Sequence, residues 1–204
     1  MIIYLVRHAE YVPVQGGSHL DNEKAPLSSL GKKQAFALGR KLKRYKIDKI
    51  YSSVLARAKE TASFIVSSTG VPVVYDERLN EQIISLHSTD RSAIKKMKRR
   101  VREDHAFAPP DGESLNQAAD RFIRVLHEVV RSGLSQVVFV SHCNVIQSAL
   151  ITLFSLNEIP KIDEASVTAF SYESGKFSTL FVNKKTFSLP VIFRKIRRKL
   201  GLRE

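Results

Sequence analysis

The stretch Ile2-Ile3-Tyr4-Leu5-Val6-Arg7-His8-Ala9-Glu10 joins five apolar residues directly to an arginine–histidine pair. A short run of β-branched and aromatic side chains reads as a buried strand. In open α/β sheets, ligands and catalytic groups gather just beyond the carboxyl ends of such strands. The pattern recurs downstream, where Val137-Val138-Phe139-Val140 runs into Ser141-His142-Cys143. Two strands that each deliver a histidine can converge on one pocket. Arg7 adds a fixed positive charge beside the first of them, which points to an anionic ligand, with phosphate the leading candidate.

Between these junctions strand-like and helix-like segments alternate, the pattern of an α/β/α sandwich with a mixed, mainly parallel sheet. Residues 11–27 read as irregular, broken by Pro13, Gly16, Gly17 and Pro26. Ser28 or Ser29 is placed to cap a helix from Gly31 to Tyr45, with Ala35, Leu38 and Leu42 on its inner face. A strand over Ile47–Tyr51 follows. Ser52 and Ser53 are then read as the cap of a helix from Leu55 to Ser68, closed by Gly70. Val71–Tyr75 reads as a short strand and 76–90 as a loop, before a basic helix over Arg91–Glu103. The spacing of Leu115, Ala118, Ala119, Phe122, Val125, Leu126 and Val129 predicts a helix over 114–132. A strand at 136–141 and a helix from Asn144 to Phe154 make a βα unit. Val167–Tyr172 and Phe177–Val182 read as a hairpin at the sheet edge.

Composition limits the alternatives. A chain of 204 residues with 43% hydrophobic and 26% charged residues suffices for one globular domain. The expected division is a catalytic domain over 1–183 and a basic extension over 184–204. No apolar run reaches the length of about 20 residues that spans a bilayer, and Arg7 interrupts any leader-like segment. Cys143 is the only cysteine, which excludes an internal disulfide and fits a reducing compartment, hence a cytoplasmic expectation. The net charge of +13 is concentrated. Residues 91–104 carry seven Lys/Arg, and residues 184–204 carry eight against one acid, Glu204. Solvated faces explain such runs as well as attraction of polyanions or of an anionic membrane surface does.

Singly, each polar residue is weak evidence: Arg57 reads as a solvated first-turn side chain, and Glu81 as one acid among twenty. Their joint order is informative. Leu5-Val6-Arg7-His8-Ala9-Glu10 is followed by Pro26-Leu27-Ser28-Ser29-Leu30-Gly31 with Gln34-Ala35. Then come Tyr51-Ser52-Ser53-Val54-Leu55-Ala56-Arg57-Ala58 with Glu60-Thr61-Ala62, Leu79-Asn80-Glu81, Gly112-Glu113-Ser114 and Val140-Ser141-His142. With these six motifs in order over residues 2–182, the chain resembles the histidine phosphatase superfamily, also called phosphoglycerate mutase-like.

The resemblance implies roles. His8 corresponds to the nucleophile that takes up the phosphoryl group. Arg7, Arg57 and His142 would surround the phosphoryl oxygens, and Glu81 occupies the position of the general acid. A carboxyl in that role should have its pKa raised by burial, against the pull of nearby arginines. No metal or other cofactor is implied, because two guanidiniums take the place of a cation. The chain departs from the family pattern in four places: Ala9 replaces a glycine, Val14 an asparagine and Cys143 a frequent glycine, and Gln82-Ile83-Ile84-Ser85-Leu86-His87 stands where a glycine and a bulky residue are usual. Cys143, beside His142, is read as a small buried filler.

The expected activity is metal-independent phosphomonoester hydrolysis through phosphorylated His8. The partner would be a small phosphorylated substrate or a phosphoprotein. A phosphoglycerate mutase is the runner-up; only 31 residues separate Glu81 from Glu113, which leaves little covering structure for it. A phospho-ligand-binding protein without turnover is the alternative from another class. From Pro190 to Gly201 the sequence has helix signals, with Ile192, Ile196 and Leu200 on one face. That stripe either packs on the domain or lies on anionic lipid, which would make the protein peripheral to a membrane. Nucleic acid is disfavoured as a partner, because base-stacking aromatics are almost absent there.

Overall fold

The computed structural model describes residues 1–185. The expected helix from Pro190 lies outside these residues. Six strands form one sheet in the order β3-β2-β4-β1-β5-β6. β1 (Ile2–Arg7), β2 (Lys49–Ser52), β3 (Val73–Tyr75) and β4 (Gln136–Ser141) run parallel, while β5 (Val167–Glu173) and β6 (Lys176–Lys184) add an antiparallel edge. β1 and β4 are neighbours, with Val6 opposite Val140 and Arg7 opposite Ser141. His8 and His142 therefore leave the sheet side by side at its carboxyl edge.

The two central strands are buried on both faces, which is why they read as unbroken apolar runs rather than alternating ones. On one face Ile2, Tyr4, Val6, Val138 and Val140 pack under α1 (Ser29–Leu42) and α2 (Ala56–Thr69). On the other, Ile3, Leu5, Val137 and Phe139 pack under α4 (Leu115–Val130) and α5 (Cys143–Phe154). Each such buried side chain contributes about 1.5–3 kcal/mol over leaving it in water. Phe139 sits at the centre, stacked on Tyr51 at 5.2 Å and tilted against Phe122 at 5.6 Å. The result is the expected α/β/α sandwich.

Local chemistry sets the element boundaries. Ser28 accepts from the Gly31 amide at the start of α1. Gly70 closes α2 in the left-handed region at φ 73°, where it carries no Cβ penalty. Ser114 and Gln117 form a reciprocal capping box on α4. The basic helix α3 (Arg91–Glu103) is capped by Asp90 and attached by Ile94, Met97 and Val101, which pack with Ile84, Leu115 and Phe107. Several boundaries differ from the sequence reading: α1 ends at Leu42 rather than Tyr45, and β2 and β3 begin at Lys49 and Val73 rather than Ile47 and Val71. α2 begins after Leu55 with no side-chain cap, so neither Ser52 nor Ser53 caps it. Among the described residues no helix is long and apolar enough to cross a membrane.

Candidate active site

His8 follows β1 immediately and is 2% exposed. Its backbone is held between strands: the His8 amide donates to the Ser141 carbonyl at 3.0 Å, and the Ala165 amide donates to the His8 carbonyl at 3.2 Å. The ring is fixed by a 2.8 Å bond between Nδ1 and the Ala9 carbonyl. A carbonyl oxygen only accepts, so Nδ1 carries the proton and Nε2 keeps its lone pair. Burial, reinforced by the Arg57 charge, pushes the His8 pKa down to about 3. The ring is thus neutral near pH 7, the state a nucleophile requires.

His142 caps the other histidine-bearing strand, fully buried, with its ring centroid 5.0 Å from that of His8. Burial, with the Arg57 charge next, holds its pKa well below the usual histidine value. Its tautomer follows from donor accounting around Ser53. Asn80 Oδ1 accepts from the Val54 amide at 3.1 Å, which identifies that atom as the oxygen. The Ser53 hydroxyl must therefore donate its one proton to Asn80, at 2.7 Å. The 2.8 Å contact between Ser53 Oγ and His142 Nε2 then requires Nε2–H to be the donor. Nδ1 is left buried and without a partner. To hold a phosphoryl oxygen there, His142 has to gain a proton as the anion enters.

Arg7 and Arg57 flank the histidines. Arg7 Nη1 donates to the Ile162 carbonyl at 2.7 Å, and Nη2 reaches Glu164 at 3.4 Å. Arg57 is 5% exposed, so the reading of it as a solvated side chain fails. Its Nη1 donates to the Asn22 carbonyl at 3.0 Å, and its guanidinium lies 4.9 Å from the Tyr11 ring centroid. The Nε of each arginine is buried without a partner. Unused cationic donors under a cleft are an unpaid desolvation cost that an entering anion removes. Glu81 is half-buried in the wall of the cleft, and its Oε1 accepts from the Gln82 amide at 2.9 Å and the Asn144 amide at 3.2 Å. The carboxylate is thereby aligned by the first turn of α5. Arg7, His8, Arg57 and Glu81 line one cleft of about 250 Å³, and the buried His142 ring lies 5.0 Å from that of His8.

The structure brings these five sequence-predicted residues together and adds others to the cleft that the sequence reading did not single out. Ser18, His19 and Asn22 bring the 11–25 loop onto the cleft, and Tyr11, Gln82 and Lys98 also line it. Burial, then the Arg57 charge, lowers the His19 pKa. The loop is closed on itself by Asp21, which accepts from the Ser18 amide and hydroxyl at 2.8 Å each. Asn22 Oδ1 accepts from the amide of Val14, the position where the family usually has asparagine. Ala9 lies outside the left-handed region, which explains why alanine serves for glycine. Cys143 is half-buried, with Sγ 3.7 Å from the Ile162 carbonyl, and burial pushes its pKa up.

With this geometry in hand, comparison with known proteins is informative. Phosphoserine phosphatase 1 of Hydrogenobacter thermophilus is 28% identical over 196 residues, covering 90% of this chain and 87% of that protein. The Salmonella arizonae protein named "Probable phosphoglycerate mutase GpmB" is 30% identical over 159 residues, covering 69% of this chain and 68% of its own. Mycobacterial glucosyl-3-phosphoglycerate phosphatase superposes with a TM-score of 0.78 at 26% identity, over 89% of this chain and 98% of that one. The pattern of the histidine phosphatase superfamily (branch 1) matches residues 3–185. The chain belongs to the histidine phosphatase superfamily.

Proposed function

We propose that this protein hydrolyses phosphomonoesters by way of a phosphohistidine at His8, without a metal ion. The observation that carries the reading is the fixed, neutral His8 ring, with Nδ1–H bonded to Ala9 and Nε2 available, between two arginines with unsatisfied donors. In the first step Nε2 attacks phosphorus while the P–O bond to the alcohol breaks. A proton delivered through Glu81 reaches the departing oxygen. Arg7, Arg57 and protonated His142 hold the three non-bridging oxygens, where charge is spread in transit. In the second step Glu81, now a carboxylate, takes a proton from water; the oxygen attacks phosphorus, the N–P bond breaks and Nε2 regains its lone pair. The guanidiniums supply the charge that a metal supplies in other phosphatases. The relatives named as phosphatases support hydrolysis over transfer.

The experiment is turnover of p-nitrophenyl phosphate in EDTA by the wild type and by His8→Ala. The wild type retains its rate under chelation and His8→Ala loses it. Full loss of wild-type turnover on chelation, or undiminished turnover by His8→Ala, overturns the mechanism. A protein that binds phosphate and turns over no ester would instead be a binding module.

A further inference from the structure

Residues 29–46, which hold α1 and the turn after it, contain seven Lys/Arg and no Asp or Glu. The helix buries Gly31, Ala35, Leu38, Gly39 and Leu42 along one side. Steps of three and four residues carry Leu30, Lys33, Phe36, Ala37 and Arg40 along the opposite side, with Lys43 and Arg44 just past its end. All of these are exposed. Leu30 and Phe36 are each 52% exposed. A single exposed apolar side chain is ordinary; two on one cationic stripe make an amphipathic face turned outward.

The cations of this face are mostly unpaired. Lys32, at its margin, pairs with Glu60 at 3.5 Å. Lys33, Arg40, Lys43, Arg44 and Lys46 have no ion-pair partner among the described residues. Phe36, Arg40 and Arg44 border an open depression of about 810 Å³ that Ser67 and Ser68 of α2 complete. There guanidiniums and hydroxyls can meet a headgroup phosphate together. The face also marks where the rest of the chain departs, because Lys41 Nζ donates to the Lys185 carbonyl at 3.4 Å. Residues 186–204 add six Lys/Arg against one acid, Glu204, among Leu189, Ile192, Phe193, Ile196 and Leu200. The mixture of cations and large apolar residues on α1 thus continues in the sequence that leaves beside it.

We propose that the outward face of α1 docks on an anionic membrane surface, with Lys33, Arg40, Lys43 and Arg44 against headgroup phosphates and Leu30 and Phe36 entering the interface. The proposal is independent of the hydrolytic reading. Charge complementarity supplies the attraction, roughly five-fold in partitioning for each cation near such a surface. The two apolar side chains supply a contact that only a bilayer rewards. Nucleic acid is the weaker fit, since base stacking uses a series of aromatic rings and Phe36 is the one aromatic on the stripe.

The test is sedimentation of the full-length protein with vesicles of phosphatidylcholine alone or mixed with phosphatidylserine, at rising sodium chloride. The wild type is expected to pellet with the mixed vesicles only and to be released by salt, because screening removes the attraction. Lys33→Gln with Arg40→Gln and Arg44→Gln is expected to weaken partitioning by on the order of a hundred-fold. Phe36→Ala weakens it several-fold at unchanged charge. Lys95→Gln with Lys96→Gln and Arg99→Gln removes the same charge from exposed positions of α3, which packs on Leu115 of α4 across the sheet, and keeps most of the binding. All variants, being at exposed positions, keep the wild-type circular dichroism. Failure of the wild type to pellet with the mixed vesicles, insensitivity to salt, equal losses in the two triple variants, or undiminished binding by Phe36→Ala overturns the proposal. Tighter binding to a DNA duplex than to the vesicles, insensitive to Phe36→Ala, overturns it as well and makes the face a general polyanion surface.

Discussion

Ser53 sits outside the set of groups proposed to hold phosphate, yet it fixes the tautomer of His142. By giving its own proton to Asn80 it compels His142 to present Nε2–H to it, which leaves Nδ1 buried and without a partner. Removing the hydroxyl frees the ring to turn and to change tautomer. Ser53→Ala is expected to lower kcat by about 10–100-fold, the usual effect of losing a partner that orients a functional histidine, while leaving the fold intact by circular dichroism. Unchanged kcat would show that His142 is oriented by packing alone. Nothing in the sequence distinguished this role, because a serine after a strand and before a helix is most simply a cap. Only the spatial meeting of β2, the Asn80 turn and α5 reveals it. The histidines themselves were legible, each following an apolar run without a break.

The buried histidines also set a pH dependence. His8 titrates near 6.5 when unfolded and at about 3 when folded, so between those values the unfolded chain binds the extra proton. Stability is therefore full above pH 6.5 and falls as pH drops through that window. The lowered pKa values of His142 and His19 act in the same direction. Thermal unfolding of the wild type should show Tm declining from pH 6.5 to pH 4, and the decline should be shallower in His8→Ala. Equal slopes would mean that the His8 ring is not desolvated as the structure has it.

At the scale of elements, the site depends on how closely the first turn of α1 approaches the segment after β1. A Cβ on Gly31 would collide with the Glu10 carbonyl oxygen. The Ser28 hydroxyl donates to Glu10 at 2.6 Å, and the Ser28 amide donates to the Glu10 carbonyl at 3.0 Å. Because the obstacle is backbone, Gly31→Ala must displace the Arg7–Glu10 segment. A cost of roughly 1–3 kcal/mol is expected, measured by urea unfolding, with a loss of activity beyond what that destabilisation explains. Neutral stability would contradict the packing. A second element-scale clamp is Arg121, which grips Glu113 at 2.6 and 3.0 Å and the Arg78 carbonyl at 2.7 Å. Glu113 in turn accepts from the Ile83 amide at 3.3 Å, next to the stretch that carries Glu81. Arg121→Met is expected to lower kcat without touching the cleft chemistry directly; rescue by Arg121→Lys in part would agree with this positioning role.

Most elements were readable because period and punctuation coincide: unbroken runs for the doubly covered strands, a 3.6-residue stripe for α4, and Gly70 at the end of α2. What periodicity does not carry is the third dimension of irregular segments. The 11–25 loop has no period, so its delivery of Ser18, His19 and Asn22 to the cleft was invisible. α3 was readable as a basic helix, but its charge pattern gave no sign of which face meets the active-site cleft; that is set by Ile94, Met97 and Val101 docking on Ile84 and Leu115.

For the molecule as a whole, the net charge of +13 bears on capture of an anionic substrate. A positive field raises the encounter rate with phosphate esters and is screened over about 8–10 Å at physiological salt. kcat/KM is therefore expected to fall as sodium chloride rises from low to high concentration, with kcat changing far less; flat kcat/KM would mean that encounter is not steered. The measurement that bears most directly on the catalytic reading is capture of the covalent intermediate. Wild type and His8→Ala are mixed with radiolabelled acetyl phosphate, quenched in alkali within the first turnovers, digested and mapped. The expected result is label on the wild-type peptide that contains His8, stable to alkali and labile to acid, and none on His8→Ala. Turnover without any label on that peptide, or label on another residue, would contradict the account.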